Sequence, residues 1–257
     1  LKKNMCQIFG KGIHGYNYKK NLIIDSKNSG TLGRLILGLI INTPYPIKLI
    51  GDKSLSKRDF QRIAEPLTKF GASFKLKNNK NLPLKITGSK KLKSIKYLEN
   101  RGSAQCKSAV IFGGMRAEGT TFIKAKKSRD HTELLCKYLH LPVSVEKKKN
   151  YDLIKVKKIK KIKPFNYLIP GDISSSAFFI VLTALSRNSK ITIKNVNINP
   201  SRTGIIKILS KMGVKIIFKN KKIYKGEKKA DIEVVGSDSL KAINCPAKLN
   251  SVQLMSF

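Results

Sequence analysis

Three stretches of this 257-residue chain share one pattern: residues 62–76 read RIAEPLTKFGASFKL, residues 131–145 read HTELLCKYLHLPVSV, and residues 203–218 read TGIIKILSKMGVKIIF. In each stretch, apolar residues with helical spacing are followed by a turn and then by a short apolar run typical of a strand. The stretches recur about every 70 residues. A recurrence of this length indicates a fold built from repeated units.

The pattern extends outward from each of these stretches. An earlier helix and strand are predicted at residues 28–41 and 46–50, 103–115 and 119–125, and 174–186 and 189–195. Hairpin partner strands are predicted near residues 83–88, 151–157 and 231–235. Each unit then has the order α-β-α-β-β, so the fold class is α/β of the α+β repeat type, with helices packed on a sheet. About three such units fill the chain.

Several local signals mark where the predicted helices begin and end. Ser103, Asp130 (with Glu133 three residues later) and Asn199 (followed by Pro200) are candidate N-caps. Glycines at 71 and 213 stand where a helix end favours a left-handed residue. Residues 164–171 contain prolines and a glycine between two units, so we expect the chain to cross from one domain to another there.

The formal charge of +38 is the most unusual feature of the composition. Clustered lysines can bind nucleic acid by neutralising phosphates. Here the lysines are spread over the whole chain with abundant Ile and Asn, and no basic stretch is interleaved with aromatic residues that could stack on bases. The pattern therefore favours a genome-wide composition bias over a nucleic-acid surface. The lysine-rich residues 147–163 predict a strand with one solvated face.

Composition also narrows the other function classes. The sequence contains no apolar run long enough to span a membrane and no signal peptide at its start, so we expect a cytoplasmic protein. The four cysteines, at positions 6, 106, 136 and 245, lack the paired spacing of a zinc site. We expect reduced, mostly buried thiols and no metal site.

The strings that open the predicted helices are the candidate binding residues. Asn28-Ser29-Gly30-Thr31 would present backbone N–H groups to an anion, and Gly30 would let it approach closely. Arg58, expected at the start of the next helix, could hold a carboxylate or phosphate in two-point geometry. Either feature alone is also typical of a plain capped helix or a solvated surface arginine.

Two later strings are richer in polar groups. Ser103-Ala104-Gln105 combines a cap with a side chain able to reach a polar ligand. Ser128-Arg129 precedes a third helix and offers a guanidinium to a phosphate. His131, just after it, could act as a base, but no nucleophile is paired with it, so a capping or orienting role is favoured.

In this order, the strings resemble the 5-enolpyruvylshikimate-3-phosphate (EPSP) synthase family. The similarity covers residues 10–250 and includes GDKSLSKR at 51–58, PLTKFGA at 66–72, LPLKITG at 82–88 and NPSRTG at 199–204. The resemblance implies an enolpyruvyl transferase fold of βαβαββ units in two domains. Residues 1–165 would form most of the first domain, and residues 166–257 would begin a second, incomplete one.

The family transfers the enolpyruvyl group of phosphoenolpyruvate to the 5-hydroxyl of shikimate 3-phosphate, without a metal or organic cofactor. The resemblance places Asn28, Gly30, Thr31 and Arg58 at phosphoenolpyruvate, and Gln105 at both substrates. It places Ser103, Ala104, Ser128 and Arg129 at shikimate 3-phosphate. Because both substrates carry phosphate and carboxylate groups, helix starts and arginines are the chemistry that they require. The family also implies a monomer.

The resemblance is incomplete at both ends. The family's N-terminal Lys-Ser motif would precede residue 1, and its catalytic Asp would follow residue 250, so no catalytic residue is assigned within the chain. We expect the isolated 257-residue polypeptide to bind substrates but to lack turnover. Two alternatives stay open: the sister transferase that acts on UDP-N-acetylglucosamine, and a basic polyanion-binding module suggested by charge alone.

Overall fold

The structure is a computed structural model that describes residues 5–13, 15, 16, 18 and 20–244. Predictions about His14, Cys245 and the last segment, 251–257, lie outside the described residues. The elements of the first repeat are β1 (Ile23–Asp25), α1 (Gly30–Leu39), β2 (Ile47–Ile50), α2 (Lys53–Ser56), α3 (Gln61–Thr68), β3 (Ser73–Lys77) and β4 (Asn81–Thr87). Their sheet has the order β1-β2-β4-β3, with β1 parallel to β2 and β4 antiparallel to both of its neighbours.

The second repeat has the same topology. Its elements are β5 (Lys96–Glu99), α4 (Ala104–Gly114), β6 (Thr120–Lys126), α5 (His131–Tyr138), β7 (Val143–Lys147) and β8 (Tyr151–Lys157). The sheet order β5-β6-β8-β7, with one parallel pair at its edge, reproduces that of the first repeat. Most of the inward residues of β6 and β8 are apolar, the exceptions being Thr121 and Asp152, and the outward positions are mostly lysines, which is how a sheet with one solvated face is built.

The third repeat again follows this plan. Its elements are α6 (Ile173–Leu185), β9 (Lys190–Asn197), α7 (Gly204–Lys211), β10 (Lys215–Tyr224) and β11 (Glu227–Val235). The sheet order is β9-β11-β10, and a parallel bridge between Gly171 and Val196 stands where the other repeats have their first strand. The predicted α-β-α-β-β order is confirmed in all three repeats, with the short helix α2 added in the first, and the first two repeats also have the first strand of a βαβαββ unit.

The chain divides into two compact units. The first comprises Leu1–Ser128 and Leu139–Pro164, and the second comprises Arg129–Tyr138 and Phe165–Phe257. Helix α5 therefore belongs to the second unit, although it falls within the second repeat of the sequence. That these units correspond to two substrate-binding domains, divided near residue 165, stays a prediction.

Each unit has its own core. In the first, α1 packs against α4 so closely that a Cβ added to Gly38 would lie 2.2 Å from the carbonyl oxygen of Ala109. Glycine is therefore required for this helix contact. In the second unit, the core joins α6, α7 and the three-stranded sheet through buried side chains that include Ile180, Val196 and Ile232.

Three local predictions were wrong. Arg58 does not start a helix: it follows the short helix α2 and precedes α3, because Asp52 caps a helical turn six residues earlier. Asn199 does not cap α7, which begins at Gly204 after Thr203, because the Asn199 side chain is used in the preceding turn. The lysine-rich strand ends at Lys157 and does not continue to residue 163.

Candidate active site

The start of α1 is built as the sequence predicts. The Ser29 hydroxyl accepts a hydrogen bond from the backbone N–H of Leu32 at 3.1 Å, so the helix begins directly at Gly30. Arg58 lies against this start: a Cβ added to Gly30 would be 3.1 Å from Arg58 Nη1. The structure thus brings together a helix N-terminus and an exposed guanidinium, two groups that favour the same anion.

Asn28 has a structural contact as well as its predicted place at the ligand. Its Nδ2 donates to Asp52 Oδ2 at 2.6 Å, and Asp52 Oδ1 caps α2 by accepting from Leu55 N at 2.7 Å. The hydrogen bond from Leu55, followed by that from Asn28, lowers the pKa of Asp52 below its usual value. Asn28 therefore ties the loop that carries Arg58 to the start of α1.

The start of α4 is held by a carboxylate behind it. Ser103 caps the helix by accepting from Cys106 N at 3.2 Å, which confirms the predicted cap. The buried Glu99 accepts hydrogen bonds from the backbone N–H groups of Ser103, at 3.0 Å, and of Arg101, at 3.2 Å. The backbone that presents Ser103 and Ala104 is thereby fixed before the helix begins.

Gln105 links the two helix starts. Its Oε1 accepts from Arg34 Nη1 at 2.5 Å, and its Nε2 donates to Thr31 Oγ1 at 2.9 Å. Because Arg34 can only donate, the amide oxygen must face Arg34 and the NH₂ group must face Thr31. The structure therefore brings Arg58 and Gln105 to Gly30 and Thr31 within one unit, although both are distant from them in the sequence.

Arg34 is the main residue of this cluster that sequence reasoning missed. Its side chain is only 5% exposed, donates to the Asp59 carbonyl oxygen at 3.4 Å and lies 5.5 Å from the Phe60 ring centroid. Burial, reinforced by repulsion from the neighbouring Arg62 and Arg58, lowers its pKa to about 10. The only sequence signal was an arginine placed within the apolar run LGRLIL, at residues 32–37.

The predicted phosphate residues Ser128 and Arg129 fall on either side of the unit boundary. Ser128 belongs to the first unit and Arg129 to the second. Within the second unit, burial lowers the pKa of Arg129, as does the charge of Arg202, while Asp172 opposes this shift. Arg129 is therefore a partly buried cation beside a second cation.

Two residues at the start of α6 bind the Arg202 side chain. Its Nη2 donates to Ser174 Oγ at 2.6 Å and pairs with Asp172 Oδ1 at 2.8 Å. Asp172 also caps α6 by accepting from Ser175 N at 3.3 Å. Arg202 lies in the string NPSRTG at 199–204 that was singled out in the sequence, but its direct pairing with Asp172 was not predicted.

The second unit also contains a buried carboxylate, that of Glu227. Glu227 Oε1 lies 2.5 Å from His131 Nδ1, and Glu227 Oε2 accepts from Asn197 Nδ2 at 3.1 Å and from Asn199 Nδ2 at 3.4 Å. Burial would raise the pKa of Glu227, but these hydrogen bonds together outweigh it and hold the pKa below its usual value. His131 thus has the geometry of an orienting residue.

Two negative findings apply to the described part of the chain. Within residues 20–244 and the shorter described segments before them, no three His, Cys, Asp or Glu side chains are grouped as a metal site would require. None of the helices described there is both long and apolar enough to cross a membrane.

Comparison with known proteins agrees with these features. The family model described as EPSP synthase (3-phosphoshikimate 1-carboxyvinyltransferase) matches residues 2–256. A 3-phosphoshikimate 1-carboxyvinyltransferase from Legionella pneumophila (strain Paris) is 40% identical over 256 residues, which cover 99% of this chain and 58% of that protein. One from Leuconostoc mesenteroides is 40% identical over 215 residues, covering 83% of this chain and 48% of the relative. The chain spans about half the length of these relatives.

Solved structures give the same result. An EPSP synthase from Acinetobacter baumannii superposes with a TM-score of 0.80 at 36% identity, covering 95% of this chain and 54% of that one. The enolpyruvyl transferase NikO from Streptomyces tendae, at 12% identity and a TM-score of 0.59, shares the fold alone. The enolpyruvyl transferase fold predicted from the sequence is confirmed, and the chain belongs to the EPSP synthase (3-phosphoshikimate 1-carboxyvinyltransferase) family.

Proposed function

We propose that this chain supplies substrate-binding residues of a 3-phosphoshikimate 1-carboxyvinyltransferase. In that reaction the 5-hydroxyl oxygen of shikimate 3-phosphate bonds to the enol carbon of phosphoenolpyruvate while the methylene carbon is protonated. Loss of inorganic phosphate and of a methyl proton then restores the enol double bond. The product class belongs to chorismate and aromatic amino acid biosynthesis.

One observation carries the proposal: Gln105 joins the starts of α1 and α4 while Arg58 lies against Gly30. The α1 start and Arg58 are suited to the phosphate and carboxylate of phosphoenolpyruvate, with Asn28 and Thr31 beside them. The Gln105 NH₂ group is aimed at the same region. Arg34, Arg58 and Arg62 keep it electropositive, as a substrate that carries both a phosphate and a carboxylate requires.

Shikimate 3-phosphate is assigned to the remaining residues. Ser103, Ala104 and Gln105 would hold it at the start of α4, and Ser128 would contribute a hydroxyl. Arg129 would bind its phosphate as a cation already desolvated by burial. A buried donor loses less hydration on binding, so its contact with an anion is stronger. A cytoplasmic location and a monomeric state remain part of this proposal.

Calorimetric titration of the purified chain tests this assignment. Shikimate 3-phosphate is expected to bind saturably, and shikimate, which lacks the phosphate, at least about tenfold more weakly, because a charge-assisted contact is lost. A Ser103→Ala, Gln105→Ala double variant is expected to weaken both ligands, whereas Ser144→Ala, in β7 away from both helix starts, serves as the control.

The same titration separates the alternatives. Binding of UDP-N-acetylglucosamine in preference to shikimate 3-phosphate would favour the sister transferase. Tight, sequence-independent DNA binding that persists at physiological salt would favour a polyanion-binding module. Either result, without saturable binding of shikimate 3-phosphate, would contradict the proposed function.

A further inference from the structure

The turn between β10 and β11 contacts α5 at three points. Glu227 meets His131 at 2.5 Å, a Cβ added to Gly226 would lie 2.9 Å from the Leu134 carbonyl oxygen, and Lys225 Nζ is 5.6 Å from the Tyr138 ring centroid. The three helical positions follow the spacing i, i+3, i+7, so they form one face of α5. Residues 225–227 therefore contact α5 from its first residue, His131, to its last, Tyr138.

The first of these contacts belongs to a wider buried network. Asn199, which is 3% exposed, donates from Nδ2 to Asp130 Oδ1 at 2.8 Å and to Glu227 Oε2 at 3.4 Å. Glu227, 5% exposed, thus contacts His131 directly and Asp130 through Asn199. Asp130 and His131 immediately follow Arg129 in the sequence.

The same network reaches the second cation of this unit. Asn199 Oδ1 accepts from both the backbone N–H and the hydroxyl of Ser201, at 2.9 and 2.6 Å, and the Asn199 carbonyl accepts from Arg202 N at 2.8 Å. Arg202 is itself fixed by Asp172 and Ser174. The backbones that carry Arg129 and Arg202 therefore share one anchor.

The Arg129 and Arg202 guanidinium groups are partly buried and repel each other, and Asp172, which pairs with Arg202, offsets only part of this repulsion. Binding of an anion to both groups is therefore favoured. Resting on the proposed function, we propose that Glu227 and Asn199 are positioning residues for the substrate phosphate. They hold the start of α5 on the sheet of the second unit and thereby fix the Arg129 guanidinium. Neither residue needs to contact the substrate.

The test compares Glu227→Ala with a matched variant on the same strand, Glu233→Ala. Glu233 is also a buried carboxylate, but its partners are Lys190 and Lys219 and not α5. Glu227→Ala is expected to weaken shikimate 3-phosphate by about tenfold, the size of one lost charge-assisted hydrogen bond, with little change for shikimate. Glu233→Ala should leave both affinities unchanged, and Glu227→Gln, whose amide oxygen can still accept from Asn197 and Asn199, should restore part of the loss.

A double variant separates positioning from general stability. In an Arg129→Ala background, Glu227→Ala should produce no further loss of phosphate-dependent affinity, because its effect acts through Arg129. Additive losses, or equal weakening of shikimate and shikimate 3-phosphate, would overturn the proposal.

Hydrogen exchange provides a readout that is independent of the ligand. In Glu227→Ala, amides of α5 should exchange faster while those of α7 do not. Unchanged protection of α5 would overturn the anchoring role. Absence of any binding of shikimate 3-phosphate to the unaltered chain would instead overturn the proposed function, and the exchange result would still decide whether the network holds α5.

Discussion

In the first unit a buried cation orients a candidate ligand group, whereas in the second unit a buried carboxylate does so. Arg34 donates to the uncharged oxygens of Gln105 and Asp59, so its positive charge is not cancelled at the place where an anion is expected to bind. Glu227 is compensated by His131 and two asparagine amides, and it acts on the backbone behind Arg129. Arg34 thus adds to the positive potential near Gln105, whereas Glu227 restrains the backbone that carries Arg129.

We therefore expect removal of Glu227 to lower the free energy of unfolding strongly, and removal of Arg34 to weaken ligand binding with little change in that free energy. Loss of Glu227 removes a hydrogen-bond acceptor from His131, from the buried Asn199 and from the half-buried Asn197, whereas loss of Arg34 also relieves its repulsion from Arg58 and Arg62.

Glu227→Ala should lower the free energy of unfolding of the second unit by about 2–3 kcal/mol, because buried donors lose their acceptor. Urea unfolding, monitored by exchange of amides in β9 and β11, measures this loss. Glu233→Ala is the control, with a smaller expected cost because both of its lysine partners are half-exposed and can be solvated. A smaller loss for Glu227→Ala than for Glu233→Ala would contradict the anchoring role.

The same carboxylate predicts an acid dependence. The folded-state pKa of Glu227 lies below its usual value of 4.5, so its contribution to stability is present above that pH. The contribution is lost as the pH falls through the lower folded pKa. Below pH 4.5, the stability of the unaltered chain should therefore fall more steeply than that of Glu227→Gln, as measured by urea unfolding at a series of pH values. Parallel curves would contradict this assignment.

Arg34→Met should weaken phosphoenolpyruvate by about tenfold, since Gln105 loses its fixed orientation and the region loses a positive charge. The free energy of unfolding should change by less than about 1 kcal/mol, because an apolar side chain of similar length replaces a costly buried cation. Calorimetric titration and urea unfolding of the same preparation measure both quantities. A large loss of stability with unchanged affinity would reverse the contrast between the units.

Asp172→Ala should lower stability by about 1 kcal/mol through loss of the α6 cap. It also frees Arg202 from its carboxylate, so the affinity of the second unit for inorganic phosphate should rise and not fall. Asp172→Ser, which retains a capping oxygen without the charge, should recover the stability but keep the higher affinity. Thermal unfolding and phosphate titration separate these two effects.

Gly30→Ala is expected to have the smallest effect on folding, within about 0.5 kcal/mol, because the added Cβ would be close to the flexible end of Arg58, at 3.1 Å, and in ordinary contact with Leu55 Cδ1, at 3.6 Å. The displaced guanidinium should still weaken phosphoenolpyruvate by roughly threefold, since the shift is a few tenths of an ångström. Gly38→Ala is the informative contrast: its Cβ would meet the backbone of Ala109, so it should destabilise the first unit strongly.

The sequence was sufficient to predict the features that depend on neighbouring residues. The repeated order of elements, the Ser103 cap and the positive φ of Gly71 (113°) and Gly213 (99°) were all confirmed. Each follows from a local rule: apolar periodicity, a side-chain oxygen at a helix start, or a residue without a Cβ at a helix end. Gly30 and Ser103 were recognisable for the same reason.

The groups that orient the site could not be predicted, because their partners are distant in the sequence. Arg34 and Gln105 are 71 residues apart, and His131 and Glu227 are 96 residues apart. Asn199 shows why local rules failed: a cap was predicted from Asn-Pro, but its Oδ1 accepts from Ser201 in a turn that precedes α7, and its Nδ2 donates to the distant Asp130 and Glu227. Arg58 was misplaced because Asp52 starts the short helix α2, which ends at Ser56, before Arg58.

The most direct test of the account follows the side chains of Gln105 and Arg129 by nitrogen-detected NMR while shikimate 3-phosphate is added to the chain. We predict that the Gln105 Nε2 and Arg129 Nε signals shift together and saturate with one dissociation constant. Shikimate should move the Gln105 signal but leave that of Arg129 in place. Saturable binding that moves neither signal would contradict the assignment of these two groups to the substrate.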